Sequence, residues 1–245
     1  SKAFREPTRS DFETNIHIKP EELVDIELGW NYKLEKILIN ANWYYMKYKN
    51  QLVLTGEIDD VGAAVRENSG QSFRHGLEIE SILDILNKIT INANMSISEN
   101  KNINYLTSIN GEIVNLGDTQ ISFSPKLVSS IGFSFTPINK LYLSFITKHV
   151  GDQFMSNTGS DLSKLDSYTI SDFNIVYKLN NTKLFNEVII SAIINNLLNI
   201  KYVSNGYHYT YHDTWTNPDQ TVTYEGVGYY PQATRNYLLG ITFKF

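Results

Sequence analysis

The sequence predicts an all-β protein, specifically an antiparallel transmembrane β-barrel. Three observations predict this fold: apolar and polar residues alternate over long segments, short and long links between the segments also alternate, and the composition is rich in aromatic residues. Aromatic residues form 13% and charged residues 19% of the 245 residues, and the charged share lies below the roughly 25% of an ordinary globular domain. Apolar runs stay well short of the about 18 residues of a transmembrane helix. A membrane-spanning form must therefore use strands in a closed barrel, which satisfies every backbone group in lipid.

The alternating segments define the strands in order. Each segment covers about 9–11 residues or more, the length that a tilted strand needs to cross a bilayer. The segments predict nine strands, and residues 1–7 would complete a tenth. The predicted strands lie near 22–34, 36–53, 72–86, 88–100, 126–137, 140–153, 167–179, 186–199 and 234–245.

The links between the predicted strands are short and long in turn. The short links lie at 33–36, 86–88, 137–140 and 180–185, and the long links lie at 54–71, 101–125, 154–166 and 200–233. Outer-membrane barrels have short periplasmic turns and long extracellular loops. We therefore expect a location in the cell outer membrane, with extracellular long loops and a periplasmic C-terminus at Phe245.

The period of two also predicts which residues face lipid and which face the lumen. A barrel in a membrane needs an apolar exterior and can hold a wet interior. Arginine at a midplane site such as Ile91 should cost about 2–4 kcal/mol, and arginine at the neighbouring Asn92 far less. The lipid-facing set is Val24, Ile26, Leu28, Ile91, Met95, Leu239, Ile241 and Phe243. The lumen-facing set is Asp25, Glu27, Asn92, Asn94, Asn236 and Thr242.

Six short motifs follow one another in the order and spacing of a known family. They are Ala3-Phe-Arg-Glu-Pro-Thr8, Pro20 to Gly29, Asn50 to Thr55, Ser72 to Glu80, Asn195-Asn-Leu-Leu-Asn-Ile-Lys-Tyr202 and Tyr230 to Asn236, before a terminal Phe. With these motifs the chain resembles the C-terminal half of TonB-dependent outer-membrane receptors, particularly those of Bacteroidota.

The resemblance implies a fold, a function and a set of partners. Such receptors have 22-stranded barrels with a plugged lumen, so residues 1–245 would supply about nine to ten C-terminal strands, and the plug domain and N-terminal strands would lie outside this sequence. The implied function is energy-dependent import of a scarce nutrient, such as a ferric siderophore, haem or another metal chelate. The implied partners are the lipid bilayer with its lipopolysaccharide, the rest of the receptor, the TonB complex acting through the plug, and a surface-exposed partner protein.

Other function classes lack support in the residues. The net charge of −5 and the absence of a basic run argue against nucleic-acid binding. The chain has no cysteine, and no spacing matches a nucleophile elbow, a phosphate loop or a zinc-protease motif, so we predict no enzyme, catalytic residue, resident metal or cofactor. The carboxylate pairs Asp25 with Glu27 and Glu78 with Glu80 are interpreted as lumen-facing polar residues. Asp59-Asp60 and the segment from Asp213 to Asp219 offer oxygen ligands but do not match a calcium-binding loop, and they are interpreted as solvated loop charge. His17 is weighed as a haem ligand only in analogy to haem receptors.

The longest link, from about Lys201 to Ala233, is the predicted ligand-binding loop. Tyrosine and tryptophan give large contact areas at low entropic cost and keep a polar group. If the loop is a β-ribbon, His208 and His212 share a face with Thr210 and could bind a metal or a metal chelate; the alternative is a tyrosine-rich surface loop. Tyr209, Tyr211, His212 and Trp215 should project above the barrel. The predicted ligand-binding residues are Tyr207, His208, Tyr209, Tyr211, His212 and Trp215.

Two other interpretations stay open at this point. One is a self-contained small barrel of about ten strands, acting as an adhesin, protease or pore. The other is a soluble, carbohydrate-binding β-sandwich. A receptor segment leaves two open sheet edges, so we expect the strand of residues 1–7 and the strand that ends at Phe245 to pair with strands outside this sequence and not with each other.

Overall fold

The computed structural model describes residues 1–58, 64–68, 70–86, 88–180, 184–217 and 219–245. These residues form one short α-helix and nineteen strands. In the described ranges, none of the helices is long and apolar enough to cross a membrane. In chain order the elements are β1 (Lys2–Arg5), α1 (Arg9–Thr14), β2 (Glu21–Leu34), β3 (Ile37–Lys49), β4 (Leu52–Ile58), β5 (Ala64–Asn68), β6 (Gln71–Ile85), β7 (Ile89–Ile103), β8 (Leu106–Ile109), β9 (Glu112–Asn115), β10 (Thr119–Gln120), β11 (Leu127–Ile138), β12 (Leu141–Val150), β13 (Gln153–Phe154), β14 (Lys164–Leu165), β15 (Tyr168–Asn180), β16 (Glu187–Asn195), β17 (Val203–Asp213), β18 (Val222–Pro231) and β19 (Asn236–Lys244).

The main sheet is an antiparallel meander. Its strand order is β1-β2-β3-β6-β7-β11-β12-β15-β16-β19, and β10 extends the ladder on β7. The nine strands predicted from alternation are confirmed, and β1 is the tenth strand that residues 1–7 were expected to give. Two strands end early where an asparagine takes a left-handed conformation, which L-residues other than asparagine and aspartate adopt with difficulty. β3 stops before Asn50 (φ 55°) and β16 stops before Asn196 (φ 50°), so both strands end four residues earlier than predicted.

The registers divide the sheet into two faces of opposite character. On β2 and β3, Asp25 pairs with Met46 and Gly29 with Asn42, whereas Leu28 pairs with Trp43. The registers of all ten strands put the predicted lumen-facing residues on one face and the predicted lipid-facing residues on the other. The predicted division into two faces is thus confirmed. We call these the polar face and the apolar face. The apolar face is open, since Leu28 is 68% and Leu239 is 85% exposed, and a continuous surface of this kind needs lipid to cover it.

The sheet does not close on itself. β1 and β19 stand at the two ends of the strand order, and no ladder joins them in the described part of the chain. The architecture is therefore a partial barrel. This open order disagrees with a self-contained small barrel, and a single sheet disagrees with a sandwich of two packed sheets.

The long loops all lie at one end of the sheet and carry their own two-stranded ribbons, namely β4–β5, β8–β9, β13–β14 and β17–β18. The most deeply buried side chains lie at the base of these ribbons and are polar: Ser72, Asn102 and Ser163. The amide nitrogen of Asn102 donates to Thr119 and to Asn157, both at 3.3 Å, and Ser72 donates to Gln51. Buried polar groups have lost their contact with water and need hydrogen-bond partners within the protein. These hydrogen bonds therefore hold the loops to the sheet.

Candidate ligand-binding loop

The predicted ligand-binding loop folds as the ribbon β17–β18. Its register runs from Val203 opposite Pro231 to Asp213 opposite Val222. Because successive side chains of a strand point to opposite faces, the ribbon separates the predicted ligand-binding residues into two groups. The tyrosines lie on one face and the histidines lie on the other.

The first group forms a continuous aromatic surface, which we call the tyrosine face. Its rings are 43–52% exposed. The rings of Tyr207 and Tyr209 stack with centroids 6.3 Å apart, and those of Tyr211 and Tyr224 stack at 5.4 Å. The Tyr230 ring lies 5.9 Å from that of Tyr207, so the surface runs along the length of the ribbon. The tyrosine face comprises Tyr207, Tyr209, Tyr211, Tyr224 and Tyr230.

Two glycines on β18 make room for these rings. Gly226 pairs with Tyr209 and Gly228 pairs with Tyr207. A Cβ atom at Gly226 would lie 2.3 Å from the Tyr209 ring, and one at Gly228 would lie 2.4 Å from the Tyr207 ring. Since Cβ atoms do not approach other atoms so closely, only glycine lets the two rings lie flat across the partner strand.

The second group is the histidine face, which turns toward neighbouring loops. The side chain of His208 is 3% exposed, and its Nε2 lies 3.4 Å from Glu225 Oε2. Ser160 Oγ donates to the same carboxylate at 2.6 Å. His212 Nδ1 shares a hydrogen bond of 2.9 Å with the hydroxyl of Thr223. As the sequence predicted for a ribbon, Thr210 lies on this face between the two histidines.

The two histidines are not arranged to share a metal ion. Four residues of extended strand separate them by about 13 Å, whereas zinc–nitrogen bonds measure about 2 Å. In the described ranges no group of three or more His, Asp or Glu side chains is placed to hold a metal. Both histidines contact the opposite strand of the ribbon, His208 through Glu225 and His212 through Thr223.

The tip of the β8–β9 ribbon clasps the β17–β18 ribbon through two reciprocal bonds. The backbone N–H of Asn110 donates to Thr223 Oγ1 at 2.7 Å, and the backbone N–H of Thr223 donates to Asn110 Oδ1 at 2.8 Å. The Tyr229 hydroxyl adds a bond of 3.2 Å to the carbonyl of Leu162. Three long loops are thus joined, and their contacts leave the tyrosine face uncovered.

The turn that follows β17 holds a tryptophan in solvent. Asp213 Oδ1 accepts the backbone N–H groups of Trp215 at 2.9 Å and Thr216 at 3.1 Å, and Oδ2 accepts the Thr216 hydroxyl at 2.7 Å. These hydrogen bonds, with the Thr216 hydroxyl first, hold the pKa of Asp213 below its ordinary value. Trp215 is 90% exposed, so the turn presents an indole ring to solvent at the tip of the ribbon.

The base of the ribbon depends on Asn196. Its side chain is buried at 4% exposure, accepts the Ile200 N–H at 2.9 Å, and donates to the carbonyls of Ile200 at 2.8 Å and Ala233 at 3.3 Å. Its own N–H donates to Asp172 on β15 at 2.7 Å. The Asn195 to Tyr202 motif therefore has a physical function: it ties both legs of the ribbon to the sheet.

Asn196→Ala should open the ribbon base. The change removes the side-chain partner of three backbone groups at Ile200 and Ala233 and puts alanine at a positive φ, so the local opening free energy should fall by about 2–4 kcal/mol. We expect at least a tenfold faster cleavage within residues 200–233 by an external protease, at normal levels of assembled barrel. Asn31→Ala is the control, because Asn31 contacts Asn40 on the exposed polar face. Equal cleavage of the Asn196 variant and the parent would contradict this role.

The remaining sequence-predicted groups lie elsewhere. The pair Glu78 and Glu80 shares the polar face with Asp25 and Glu27, as interpreted from the sequence, and lines a trough of about 590 Å³ on this face with Asn42 and its neighbours. His17 is exposed in the turn after α1, where its N–H donates to Asn15 Oδ1 at 3.0 Å. Asp59 and Asp60 lie outside the described residues.

Fold and loops together define a class of protein. A meander of nine long antiparallel strands and the short β1, with an exposed apolar face, a polar opposite face and long structured loops at one end, is a segment of an outer-membrane barrel of the receptor type. A family model described as TonB dependent receptor-like, beta-barrel, matches residues 1–197. The chain belongs to this family, whose members are outer-membrane receptors and transporters. No curated protein sequence matches the chain.

Solved structures agree with this fold. The copper transporter OprC aligns with a TM-score of 0.71 and 16% identity over 100% of this chain and 36% of its own. The siderophore receptor PiuA from Acinetobacter baumannii aligns with a TM-score of 0.66 and 19% identity, over 93% of this chain and 29% of its own. The ferric-catecholate import receptor Fiu from E. coli K12 gives a TM-score of 0.66 at 14% identity, over 99% and 30%. The chain thus spans about a third of the length of the structures it matches.

Proposed function

We propose that this chain is the C-terminal wall of a TonB-dependent importer for a ferric siderophore or another metal chelate, and that the tyrosine face binds the chelate. The observation that carries the binding site is the row of five half-exposed tyrosine rings on one face of the ribbon, with the exposed Trp215 in the turn at its tip. The similar structures include a siderophore receptor and a copper transporter, which supports a metal-bearing cargo. We assign no bond chemistry to the chain.

The proposed site suits a chelate with aromatic or hydroxylated arms. Aromatic rings stack on one another with offset or tilted geometry and add about 0.5–1.5 kcal/mol per pair beyond their buried area. The tyrosine hydroxyls can donate to the ligand's oxygens and accept from its hydroxyls. His208 and His212 join the two strands of the ribbon, since their partners Glu225 and Thr223 lie on β18, on the face away from the rings.

The rest of the receptor fits the same proposal. The trough between Asn31 and Ser96 is the wall against which a plug would lie, with Glu78 and Glu80 exposed toward it. The plug would connect the barrel to TonB. The open edges of β1 and β19 would pair with the remaining strands of a 22-stranded barrel. Long loops would be extracellular. The tyrosine face would therefore contact the substrate before it enters the lumen, or would contact a surface-exposed partner protein.

The combined change Tyr211→Ala, His212→Ala and Trp215→Ala tests the binding site. Removing two exposed rings and the histidine at the ribbon's upper end should lower uptake of the metal chelate at least tenfold, because aromatic anchors carry much of the energy of such surfaces. The measurement is initial uptake of labelled ferric chelates by cells that express the full receptor. Surface level is measured in parallel with an antibody or a surface label.

The matched control replaces exposed apolar residues at the same end of the sheet. Phe12 is 43% and Ile16 is 78% exposed, and neither belongs to the ribbon, so Phe12→Ala with Ile16→Ala should leave uptake unchanged. Unchanged uptake in the ribbon variant at a normal surface level would remove this loop from the binding site. The loops at 54–71 and 101–125 would then be the candidates.

A further inference from the structure

A second cavity lies at the base of the β17–β18 ribbon, apart from the tyrosine face. Its volume is about 320 Å³, at the lower end of the roughly 300–1,000 Å³ of small-molecule sites. Its walls come from residues 164–168, which lead from β14 into β15, and from the two legs of the ribbon at residues 200–203 and 229. Tyr229 pairs with Gly206 on the histidine face, so the ribbon separates this cavity from the tyrosine face. We call it the ribbon-base cavity.

The interior of the ribbon-base cavity is aromatic and apolar. The rings of Tyr168 and Tyr202 pack with centroids 4.5 Å apart, and Leu165, which is 2% exposed, adds a buried apolar side chain. The hydroxyls of Tyr168 and Tyr202 form no hydrogen bond with the residues that the structure describes. Burial, and after it the Asp172 carboxylate, raise the pKa of Tyr202, so its hydroxyl stays protonated and can donate to a ligand.

The rim of the ribbon-base cavity carries charges of both signs. Lys164 Nζ lies 3.1 Å from Asp152 Oδ2, so this lysine is already neutralised. Lys201 and Asp166 are exposed and line the cavity, and neither forms an ion pair with a residue in the described ranges. One ammonium group and one carboxylate therefore remain for a ligand to contact.

We propose that the ribbon-base cavity binds a free α-amino acid with an aromatic side chain, and that the bound molecule joins the ribbon to residues 164–168. The charges select a zwitterion. Asp166 would repel an anion, and Lys164 and Lys201 would repel a metal cation, whereas an amino acid places its carboxylate at Lys201 and its ammonium group at Asp166. Its ring packs against the tyrosine rings in an offset or tilted arrangement.

The amino acid is a ligand distinct from an imported chelate, because the ribbon-base cavity and the tyrosine face lie on opposite sides of the ribbon. The inference therefore does not rest on the proposed function. A ligand that contacts both the ribbon legs and residues 164–168 binds only while the ribbon base is closed, so it stabilises that state by mass action. An amino acid at about ten times its dissociation constant should slow protease cleavage within residues 200–233 about tenfold.

The test measures the affinity of the full receptor in detergent for L-phenylalanine, by ligand-observed NMR titration. Two analogues each lack one charge, since phenylpropionate has no ammonium group and phenethylamine has no carboxylate. The variants are Lys201→Gln and Asp166→Asn, both at exposed positions. The control is Glu35→Gln with Lys36→Gln, which removes one charge of each sign from an exposed turn at the other end of the sheet.

We expect the parent and the control to bind L-phenylalanine equally, and each analogue about tenfold more weakly. Lys201→Gln should weaken the binding of L-phenylalanine and phenylpropionate about tenfold, because it removes the partner of the carboxylate, and should leave phenethylamine unchanged. Asp166→Asn should weaken the binding of L-phenylalanine and phenethylamine to the same extent and leave phenylpropionate unchanged.

Three results would each overturn the site: no saturable binding by the parent, equal affinity for the three compounds, or unchanged affinity in both variants. Unchanged cleavage of residues 200–233 at saturating L-phenylalanine would overturn the joining of the ribbon to residues 164–168. Chelate uptake is measured separately. A receptor that imports chelate and does not bind L-phenylalanine would refute this inference and leave the proposed function standing.

Discussion

Phe145→Arg should lower the free energy of unfolding of the barrel in lipid by about 2–4 kcal/mol, because arginine is destabilising near the middle of a lipid-facing strand. Phe145 occupies the centre of β12 (Leu141–Val150) on the apolar face. Its cross-strand neighbours are Phe133 on β11 and Phe173 on β15, so the guanidinium would stand among three strands of apolar rings. The measurement is urea-induced unfolding of the full receptor in phospholipid vesicles, followed by loss of the compact form on unheated gels.

Ser144→Arg is the matched control, one residue earlier on the same strand. Ser144 faces the other way, between Ser134 and Asn174 on the polar face, where a charged side chain keeps contact with water. We expect its free energy of unfolding to stay within about 1 kcal/mol of that of the parent. A larger loss for Ser144→Arg than for Phe145→Arg would reverse the assignment of the two faces, and the lipid-facing interpretation would fail with it.

The sequence predicts the barrel wall well because alternation is a local property. The pleat moves successive side chains to opposite faces, so Leu239 and Thr242 could be assigned to faces without knowledge of any partner strand. The strand ends were harder to predict. Asn50 and Asn196 stop their strands through positive φ angles, and an asparagine in the sequence does not by itself reveal whether it takes that conformation.

The candidate site was only partly predictable. The tyrosine and tryptophan content of residues 201–233 indicated a candidate binding loop. The alternation of a β-ribbon correctly placed His208 and His212 on one face with Thr210. The clasp between Asn110 and Thr223 joins residues 113 positions apart through hydrogen bonds, and no sequence pattern signals such a contact. Gly226 and Gly228 were missed, although their spacing opposite Tyr209 and Tyr207 is a readable signal once the register of the ribbon is known.

Residues 1–245 expressed without further strands should fail to form a stable barrel. β1 and β19 each present one row of unpaired backbone groups. In lipid each such group costs several kcal/mol, so the two edges together cost on the order of tens of kcal/mol, more than the roughly 5–15 kcal/mol that stabilises a native protein. Refolding into vesicles should give no compact form on unheated gels and a product that aggregates through its edges. The full receptor, refolded in parallel, should give the compact form.

Disulfide trapping in the full receptor locates the partners of these edges. Residues 1–245 contain no cysteine, so no native thiol of this segment competes with an introduced pair. Cysteines at Ala192 and Leu239, which are cross-strand partners on β16 and β19, should cross-link efficiently, because paired strands bring their Cα atoms to about 4.5–5.5 Å, within disulfide range. Cysteines at Phe4 and Leu239 should not cross-link, because the receptor interpretation places other strands between β1 and β19. Efficient trapping of the second pair would mean that the ten strands close on themselves. The chain would then form a small barrel by itself and would not be part of the barrel of a larger receptor.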